Sequence, residues 1–305
     1  MRYIVSGYIG FDNFGDEAIA SSLVQKLKSE GAEKITLISS NPSKTSELYG
    51  VESCSMLNFL KPLINSDVLV SGGGSLLQDV TSLKSLIYYL GVIYSALILG
   101  KKVEIFAQGI GPINSRIGLV LTKFALGKAS KITVRDVRSK NLLKSWGIES
   151  ELVKDPVLTL DLPQKHQTGI VGIQLRTFDG VNENFLNKLA KEISLRFADK
   201  KIVILSLQDI IDKDLCLKFA NMLKQKSVYK VEVLSGLNVN EVIEKISNLE
   251  YLIAMRFHAN VIGIKAGVKT LAINYDPKVK TLAEEYNLPF INLDDEDFSK
   301  VFEKL

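Results

Sequence analysis

Cysteine and histidine are both scarce in this chain of 305 residues, which has two of each. Cys54 and Cys216 lie far apart and form no C-x-x-C pair, so neither a disulfide framework nor a zinc knuckle is expected. No H-x-H or H-E-x-x-H pattern is present, and we expect no catalytic metal. The two thiols are interpreted as buried groups of a protein from a reducing cytoplasm.

The chain also lacks an apolar run long enough to cross a bilayer, which takes about 20 residues. Residues 85–100 carry no charge, but they number only 16. We interpret them as a buried core helix, and a membrane-facing surface is the alternative. The N-terminus shows no basic and apolar regions of a signal peptide, which favours a cytoplasmic protein, with the inner face of the membrane as a further place of action.

A strong excess of one charge is absent too. Lys and Arg total 38 and Asp and Glu total 34, which gives a net charge of +4. The basic residues are spread along the chain without a nucleic-acid motif, so we expect no nucleic-acid partner. The mild positive balance suits a small anionic substrate.

Apolar strands alternate with amphipathic helices along the whole sequence, a pattern typical of parallel α/β sheets. We predict an α/β protein with two doubly wound, Rossmann-like domains, residues 1–163 and 168–305, that face each other across a cleft as in GT-B glycosyltransferases. The polar stretch 161–168, which includes His166, is the expected linker. For the charged C-terminal helix at 294–305, packing against the first domain is one expected arrangement.

The turn after the first strand is rich in glycine. Gly7, Gly10 and Gly15 are spaced G-x2-G-x4-G, unlike the dinucleotide fingerprint, and no P-loop lysine follows. Neither a nicotinamide cofactor nor ATP is therefore favoured. Two interpretations stay open: Asp16 is a helix N-cap and the glycines are turn residues, or Asn13 and Asp16 form the floor of a polar crevice.

Four further strands of the first half also end in polar or glycine residues. These ends hold Gly72, Gly73 and Gly74, then Gln108 and Gly109, then Arg135 and Asp136, and finally Asp155 and Pro156. Because the carboxyl ends of parallel strands meet at one edge of a sheet, the pattern predicts a ligand crevice. Arg135 is there either a substrate ligand or half of a salt bridge with Asp136 or Asp155.

In the second half, Arg256 and His258 lie between a strand end and a helix start. In one interpretation His258 caps the helix and Arg256 pairs with a surface carboxylate. In the other, Arg256 clamps an anion and His258 is an acid or a second phosphate ligand. Arg176 follows the first strand of the same half and would add a second guanidinium. Several arginines without a P-loop indicate a small polyanionic substrate held by side chains.

Taken in order, these segments resemble the polysaccharide pyruvyl transferase family, and in particular its CsaB-type members. The segments that carry the resemblance are GYxGxxNxGDEA from Gly7, GGGSLLQD from Gly72, QGIGP from Gln108, RD from Arg135, DP from Asp155, RFHA from Arg256 and YDPK from Tyr275. The family's usual Arg-Leu-His reads Arg-Phe-His here, which leaves both polar groups in place.

The resemblance implies transfer of a pyruvyl group from phosphoenolpyruvate to a sugar, with formation of a cyclic ketal and release of phosphate. For CsaB-type members the sugar is β-N-acetylmannosamine in a lipid-linked precursor of the secondary cell-wall polymer, and the ketal anchors S-layer proteins. No cofactor is implied beyond the donor substrate.

Site roles follow from the same resemblance. The second domain is expected to hold phosphoenolpyruvate through Arg176, Arg256 and His258, with His258 in a catalytic role. The first domain is expected to hold the acceptor, with Asp16 catalytic and Asn13 orienting the sugar. The remaining substrate-binding candidates are Gly10, Gly73, Gly74, Gln108, Gly109 and Arg135.

Two rival functions stay open from the sequence. A GT-B glycosyltransferase would share the architecture and would also place cations on a phosphate, but it predicts a base and ribose pocket in the second half. A catalytically silent member would bind a sugar or nucleotide without turnover. A turnover assay separates these alternatives.

Overall fold

A computed structural model describes residues 1–80, 82–164, 169–226, 228 and 230–305. The chain divides into two compact units, Met1–Leu160 and Asp161–Leu305. The linker expected at 161–168 falls partly, with His166, outside the described residues.

The first unit is built on a seven-stranded sheet in which every described strand pair is parallel. Its strands are β1 (Arg2–Ser6), β2 (Lys34–Ser39), β3 (Glu52–Ser55), β4 (Val68–Ser71), β5 (Lys102–Gln108), β6 (Lys131–Val134) and β7 (Glu151–Leu152). Its helices are α1 (Phe14–Ser29), α2 (Pro42–Tyr49), α3 (Leu60–Ile64), α4 (Leu83–Ile98), α5 (Arg116–Gly127) and α6 (Val137–Ser145), followed by a 3-10 turn at Pro156–Thr159.

The second unit repeats this plan with a six-stranded parallel sheet. Its strands are β8 (Val171–Gln174), β9 (Ile202–Leu205), β10 (Val231–Leu234), β11 (Tyr251–Ala254), β12 (Lys269–Asn274) and β13 (Phe290–Asn292). Its helices are α7 (Glu183–Phe197), α8 (Asp209–Gln225), α9 (Val239–Ser247), α10 (Phe257–Lys265), α11 (Pro277–Glu285) and α12 (Ser299–Phe302).

Strand order places the ligand-binding edge of each unit. The orders are β3-β2-β1-β4-β5-β6-β7 and β10-β9-β8-β11-β12-β13. In each sheet the chain first winds outward in one direction and then restarts beside its first strand. The switch points therefore lie between β1 and β4 and between β8 and β11, where doubly wound sheets bind ligands. The prediction of two doubly wound α/β domains is confirmed.

Burial explains why the strands read as unbroken apolar runs. All four residues of β8 are buried, as expected of a parallel strand covered on both faces. The last helix, for which the sequence left open a return to the first unit, lies against the second unit's own core. The ring of Phe298 meets that of Phe185 at 5.5 Å, and Phe302 joins the same cluster.

Helix α4 corrects the expectation of a buried core helix at 85–100. One side of it, including Leu86, Leu90 and Ile93, is buried, whereas Ile87 is 45% exposed and Ile98 83% exposed. The uncharged sequence concealed this amphipathic arrangement because the outward positions are also apolar. Among the described residues, no helix is both long and apolar enough to cross a membrane.

Candidate functional site

Two arginines leave the switch point of the second unit. Strands β8 and β11 are direct neighbours with Gln174 opposite Ala254, so Arg176 and Arg256 follow them at the same sheet edge. The buried Gln174 ties the two strand ends together, because its side-chain oxygen accepts from the backbone N–H of Arg256 at 2.7 Å. Sequence reasoning correctly expected these two arginines to share one edge.

The guanidinium of Arg256 is held by two side chains from one neighbouring segment. Its Nε donates to Asp212 Oδ2 at 2.8 Å and its Nη2 donates to Gln208 Oε1 at 2.9 Å. No residue in the described part of the chain accepts a hydrogen bond from Nη1. Asp212 of α8 and the N-cap residue Gln208 therefore fix Nε and Nη2 of Arg256. The Nη1 group can donate to another acceptor.

Asp212 overturns the expectation that Arg256 would pair with a surface carboxylate, because this carboxylate is fully buried. Burial raises the pKa of the Asp212 carboxyl, and the Arg256 guanidinium acts in the opposite direction by favouring the charged form. The pair could not be predicted from the sequence, since the partners are 44 positions apart and lie in different helix–strand repeats.

Arg176 is steadied by an aromatic residue that the site prediction had missed. Its Nη1 donates to the phenol oxygen of Tyr275 at 3.3 Å, and its guanidinium carbon lies 5.5 Å from the centre of that ring. Phe178 packs edge-on against Tyr275 at 5.0 Å. Tyr275 follows β12, so a third strand end of the same sheet contributes to this group. The YDPK motif, which begins at Tyr275, was the sequence feature from which this contribution could have been predicted.

His258 lies in the first turn of α10. The structure does not support the interpretation of His258 as a cap, because Arg256 occupies the N-cap position and makes no side-chain capping bond. The imidazole is partly buried and stands perpendicular to the Phe257 ring at 5.1 Å. The positive end of the α10 dipole and the Arg176 and Arg256 guanidiniums together make this sheet edge suitable for an anion.

At the first unit's switch point, α1 begins earlier than predicted. Asn13 is its N-cap and accepts from the Gly15 N–H at 3.2 Å, so Asp16 is a first-turn residue and not the cap. Asp16 lies against Gly74: a Cβ built on Gly74 would stand 2.7 Å from Asp16 Oδ1, and the backbone φ there is +89°. The structure therefore brings together two residues predicted from separate turns.

Glu17, in the first turn of α1, is a residue of this sheet edge that the sequence analysis did not identify. Its buried carboxylate accepts from the Gly10 N–H at 2.7 Å and from the Tyr49 hydroxyl. Burial raises the pKa of the Glu17 carboxyl, and these two hydrogen bonds act in the opposite direction. Adjacent helix residues point about 100° apart, so Asp16 and Glu17 face different directions. That rule was the available signal.

Gly10 and Gly73 are packing positions in this structure. A Cβ on Gly10 would fall 2.2 Å from Ser39 Oγ, and one on Gly73 would fall 2.7 Å from Ile19 Cγ2. Both glycines therefore allow the loops after β1 and β4 to approach their neighbours closely.

Gln108 and Gly109 join the ends of β4 and β5. The Gly109 N–H donates to the Gly74 carbonyl at 2.8 Å. Gln108 is fully buried, and its amide nitrogen donates to Ser71 Oγ at 2.7 Å. Because the Gln108 side chain has no exposed surface, its role in this structure is to stabilise the ends of β4 and β5.

Arg135 forms a salt bridge with Asp155, which was one of its two predicted roles. Its Nη1 lies 3.2 Å from Asp155 Oδ2, and its Nη2 donates to Ser75 Oγ at 3.3 Å. Asp136 instead caps α6 by accepting from the Ser139 N–H. The exposed Ser75, absent from the prediction, links the β4 and β6 ends. Within the described residues, no three His, Cys, Asp or Glu side chains are grouped as metal ligands.

Two parallel α/β units, each with polar groups at its switch point, define a GT-B-like protein. Solved structures with this fold include UDP-GlcNAc 2-epimerase from Methanocaldococcus jannaschii, with a TM-score of 0.68 and 13% identity over 99% of this chain and 92% of that one. The Neisseria meningitidis UDP-GlcNAc 2-epimerase bound to UDP-GlcNAc gives 0.64 and 10% over 100% and 91%. Anabaena HepE in complex with UDP and glucose gives 0.60 and 8% over 99% and 88%.

The fold is shared by several enzyme families, and the amino-acid sequence identifies which family this chain belongs to. A family model for polysaccharide pyruvyl transferase matches residues 13–277, from the N-cap of α1 to the first residue of α11. The chain belongs to the polysaccharide pyruvyl transferase family, as its motifs predicted. No curated protein shows significant sequence similarity to it.

Proposed function

We propose that the protein transfers the pyruvyl group of phosphoenolpyruvate to two hydroxyls of a sugar, forming a cyclic ketal and releasing phosphate. The observation that carries the proposal is the pair Arg176 and Arg256 at one switch point, with Arg256 fixed by the buried Asp212. Phosphoenolpyruvate carries a carboxylate and a phosphate close together, and two guanidiniums beside a helix N-terminus match that charge pattern.

The proposed chemistry needs one proton donor and one proton acceptor in balance. C3 of the enol gains a proton and becomes the methyl group, while C2 takes on oxocarbenium character and is attacked by the first sugar hydroxyl. The C2–O bond to phosphate then breaks, and the second hydroxyl closes the ring. The two hydroxyl protons end on C3 and on the released phosphate, so no redox partner or cofactor is required.

We propose the following roles for residues of this chain. His258 supplies or relays the proton on the donor side, and the guanidiniums stabilise the leaving phosphate. Asp16 accepts a proton from the sugar in the first unit. Asn13, expected to orient the acceptor directly, acts by capping α1 and so fixing the turn that carries Asp16.

We further propose the CsaB-type acceptor, a lipid-linked disaccharide that ends in β-N-acetylmannosamine and serves as precursor of a secondary cell-wall polymer. The ketal would then anchor S-layer proteins, and the enzyme would act in the cytoplasm at the inner face of the membrane. The order and content of the motifs support this acceptor.

The test is phosphate release from phosphoenolpyruvate, measured with and without the synthetic acceptor and followed by mass spectrometry. Acceptor-dependent release with a mass gain of one pyruvate ketal is the expected result. Release without any change in the acceptor would overturn the transfer. Binding of a nucleotide sugar with no use of phosphoenolpyruvate would favour the glycosyltransferase alternative. Binding of sugar without turnover would favour a silent member.

A further inference from the structure

Helices α4 and α5 of the first unit each leave an apolar stripe exposed. On α4 the stripe contains Leu83, Ile87 and Ile98, which are 47%, 45% and 83% exposed. On α5 it contains Ile117, Val120 and Phe124, which are 71%, 65% and 56% exposed. At about 100° per residue, the members of each stripe fall within about 60° of one another on their helix. Each helix therefore buries one face and presents a second apolar face outward.

The two stripes form one surface. Tyr94 of α4 stacks on Phe124 of α5, with ring centres 6.0 Å apart and planes at 10°, and its hydroxyl donates to the Leu121 carbonyl. At the helix starts, the Asp79 carboxylate accepts from the backbone N–H groups of Asn114 and Ser115. We name this surface the α4–α5 face; its residues are Leu83, Ile87, Tyr94, Ile98, Ile117, Val120 and Phe124.

The charged side chains within α4 and α5 are all basic, and the Asp79 carboxylate at the helix starts accepts from the Asn114 and Ser115 N–H groups. Helices α4 and α5 contain no Asp or Glu, and their charged residues are Lys84, Arg116 and Lys123. Lys101 and Lys128 come just after the helices. Between residues 80 and 128 the single carboxylate is Glu104, which lies in β5. In a chain with nearly equal numbers of acidic and basic residues, such segregation marks a surface for an anionic partner.

We propose that the α4–α5 face docks the protein on an anionic lipid bilayer. An apolar stripe bordered by cations is the pattern of segments that lie in the membrane interface, with the apolar side chains among the acyl chains and the cations at the headgroups. A second copy of the chain fits less well, because a two-fold interface would set this cationic border against itself.

The α4–α5 face begins near the carboxyl ends of β4 and β5. Helices α4 and α5 come next in the chain after β4 and β5, and Gly74 and Gly109 follow the ends of those strands. The face therefore borders the same sheet edge as Asp16. Its existence does not depend on the proposed reaction, so lipid binding and pyruvyl transfer are tested separately.

The experiment is flotation of the purified full chain with vesicles of phosphatidylcholine alone or mixed with phosphatidylglycerol. We expect binding to the mixed vesicles that weakens with added salt. The double variant Ile117→Glu/Val120→Glu should bind about tenfold less or weaker still. The matched control is Leu195→Glu on α7, which changes a residue that is 69% exposed and should bind as the wild type does.

Circular dichroism of all three proteins checks that they are folded alike. A second, milder variant, Lys84→Gln/Arg116→Gln, should retain the fold and lose the preference for phosphatidylglycerol. The proposal is overturned by a wild type that ignores mixed vesicles, or by variants that bind equally well. It is equally overturned by a dimer in sedimentation that Ile117→Glu/Val120→Glu converts to monomer, since the face would then be covered by a second copy.

Discussion

The Arg256 guanidinium lies 2.8 Å from the carboxylate of Asp212, and that carboxylate has no exposed surface. Arg256, which follows strand β11 at the sheet edge, is thus held by a salt bridge to a carboxylate that solvent does not reach. Breaking such a pair by removing one partner leaves an uncompensated buried charge, which typically costs about 3–5 kcal/mol.

We predict that Arg256→Gln destabilises the protein in a pH-dependent manner. Burial already raises the pKa of Asp212, and loss of the guanidinium removes an opposing contribution. The folded variant then holds a proton that the unfolded chain releases above about pH 4, so its unfolding free energy falls as pH rises through that window. Urea denaturation at several pH values above about pH 4 should show the gap in unfolding free energy to the wild type widening as the pH rises.

The control for this prediction is Asp212→Asn/Arg256→Gln, which removes both charges. Its unfolding free energy should differ from that of the wild type by an amount that changes little with pH. An equally pH-dependent gap in the double variant would show that another group is responsible.

Arg176→Gln should reduce kcat/KM for phosphoenolpyruvate by about 10- to 100-fold, the range expected for loss of a hydrogen bond to a charged group. The matched control is Arg196→Gln on α7, which removes an arginine paired with Glu192 away from the strand ends. Steady-state phosphate release at varied phosphoenolpyruvate measures both. Equal rates for the two variants would remove Arg176 from the donor site.

For His258 we expect His258→Ala to abolish turnover while acceptor binding stays unchanged, because the imidazole is assigned to proton transfer on the donor side. Phosphate release measures the first quantity, and titration calorimetry with the sugar acceptor measures the second. Near-normal turnover would exclude His258 from the chemistry.

Gly74→Ala tests the placement of Asp16. The substitution strains a backbone with φ +89° and places a Cβ 2.7 Å from Asp16 Oδ1. Gly100→Ala is the control, because it has φ +66° and no heavy atom within 4 Å of the new Cβ. Both should lose about 1–2 kcal/mol of unfolding free energy, and only Gly74→Ala should also lose turnover, since Asp16 must move. Equal turnover would contradict the role of Asp16.

The alternation of strands and helices was sufficient to predict two doubly wound sheets, because buried parallel strands produce recognisable apolar runs. It also placed Arg176 and Arg256 at one edge, since strand ends meet there whatever the side chains are. The partners of those arginines were not predictable, because Asp212 and Tyr275 approach them only through tertiary packing. Glu17 was missed for a different reason: its neighbour Asp16 offered the same chemistry, and the sequence did not show which carboxylate points inward.

The buried carboxylate of Glu17 has a further consequence for how this family member can diversify. It accepts from the Gly10 N–H from the interior, so the β1–α1 turn is held by a buried group. The outer residue Asp12 forms an exposed ion pair with Lys44, which contributes little to stability. Selection for a new sugar can therefore act on the rim of this turn while its scaffold is preserved.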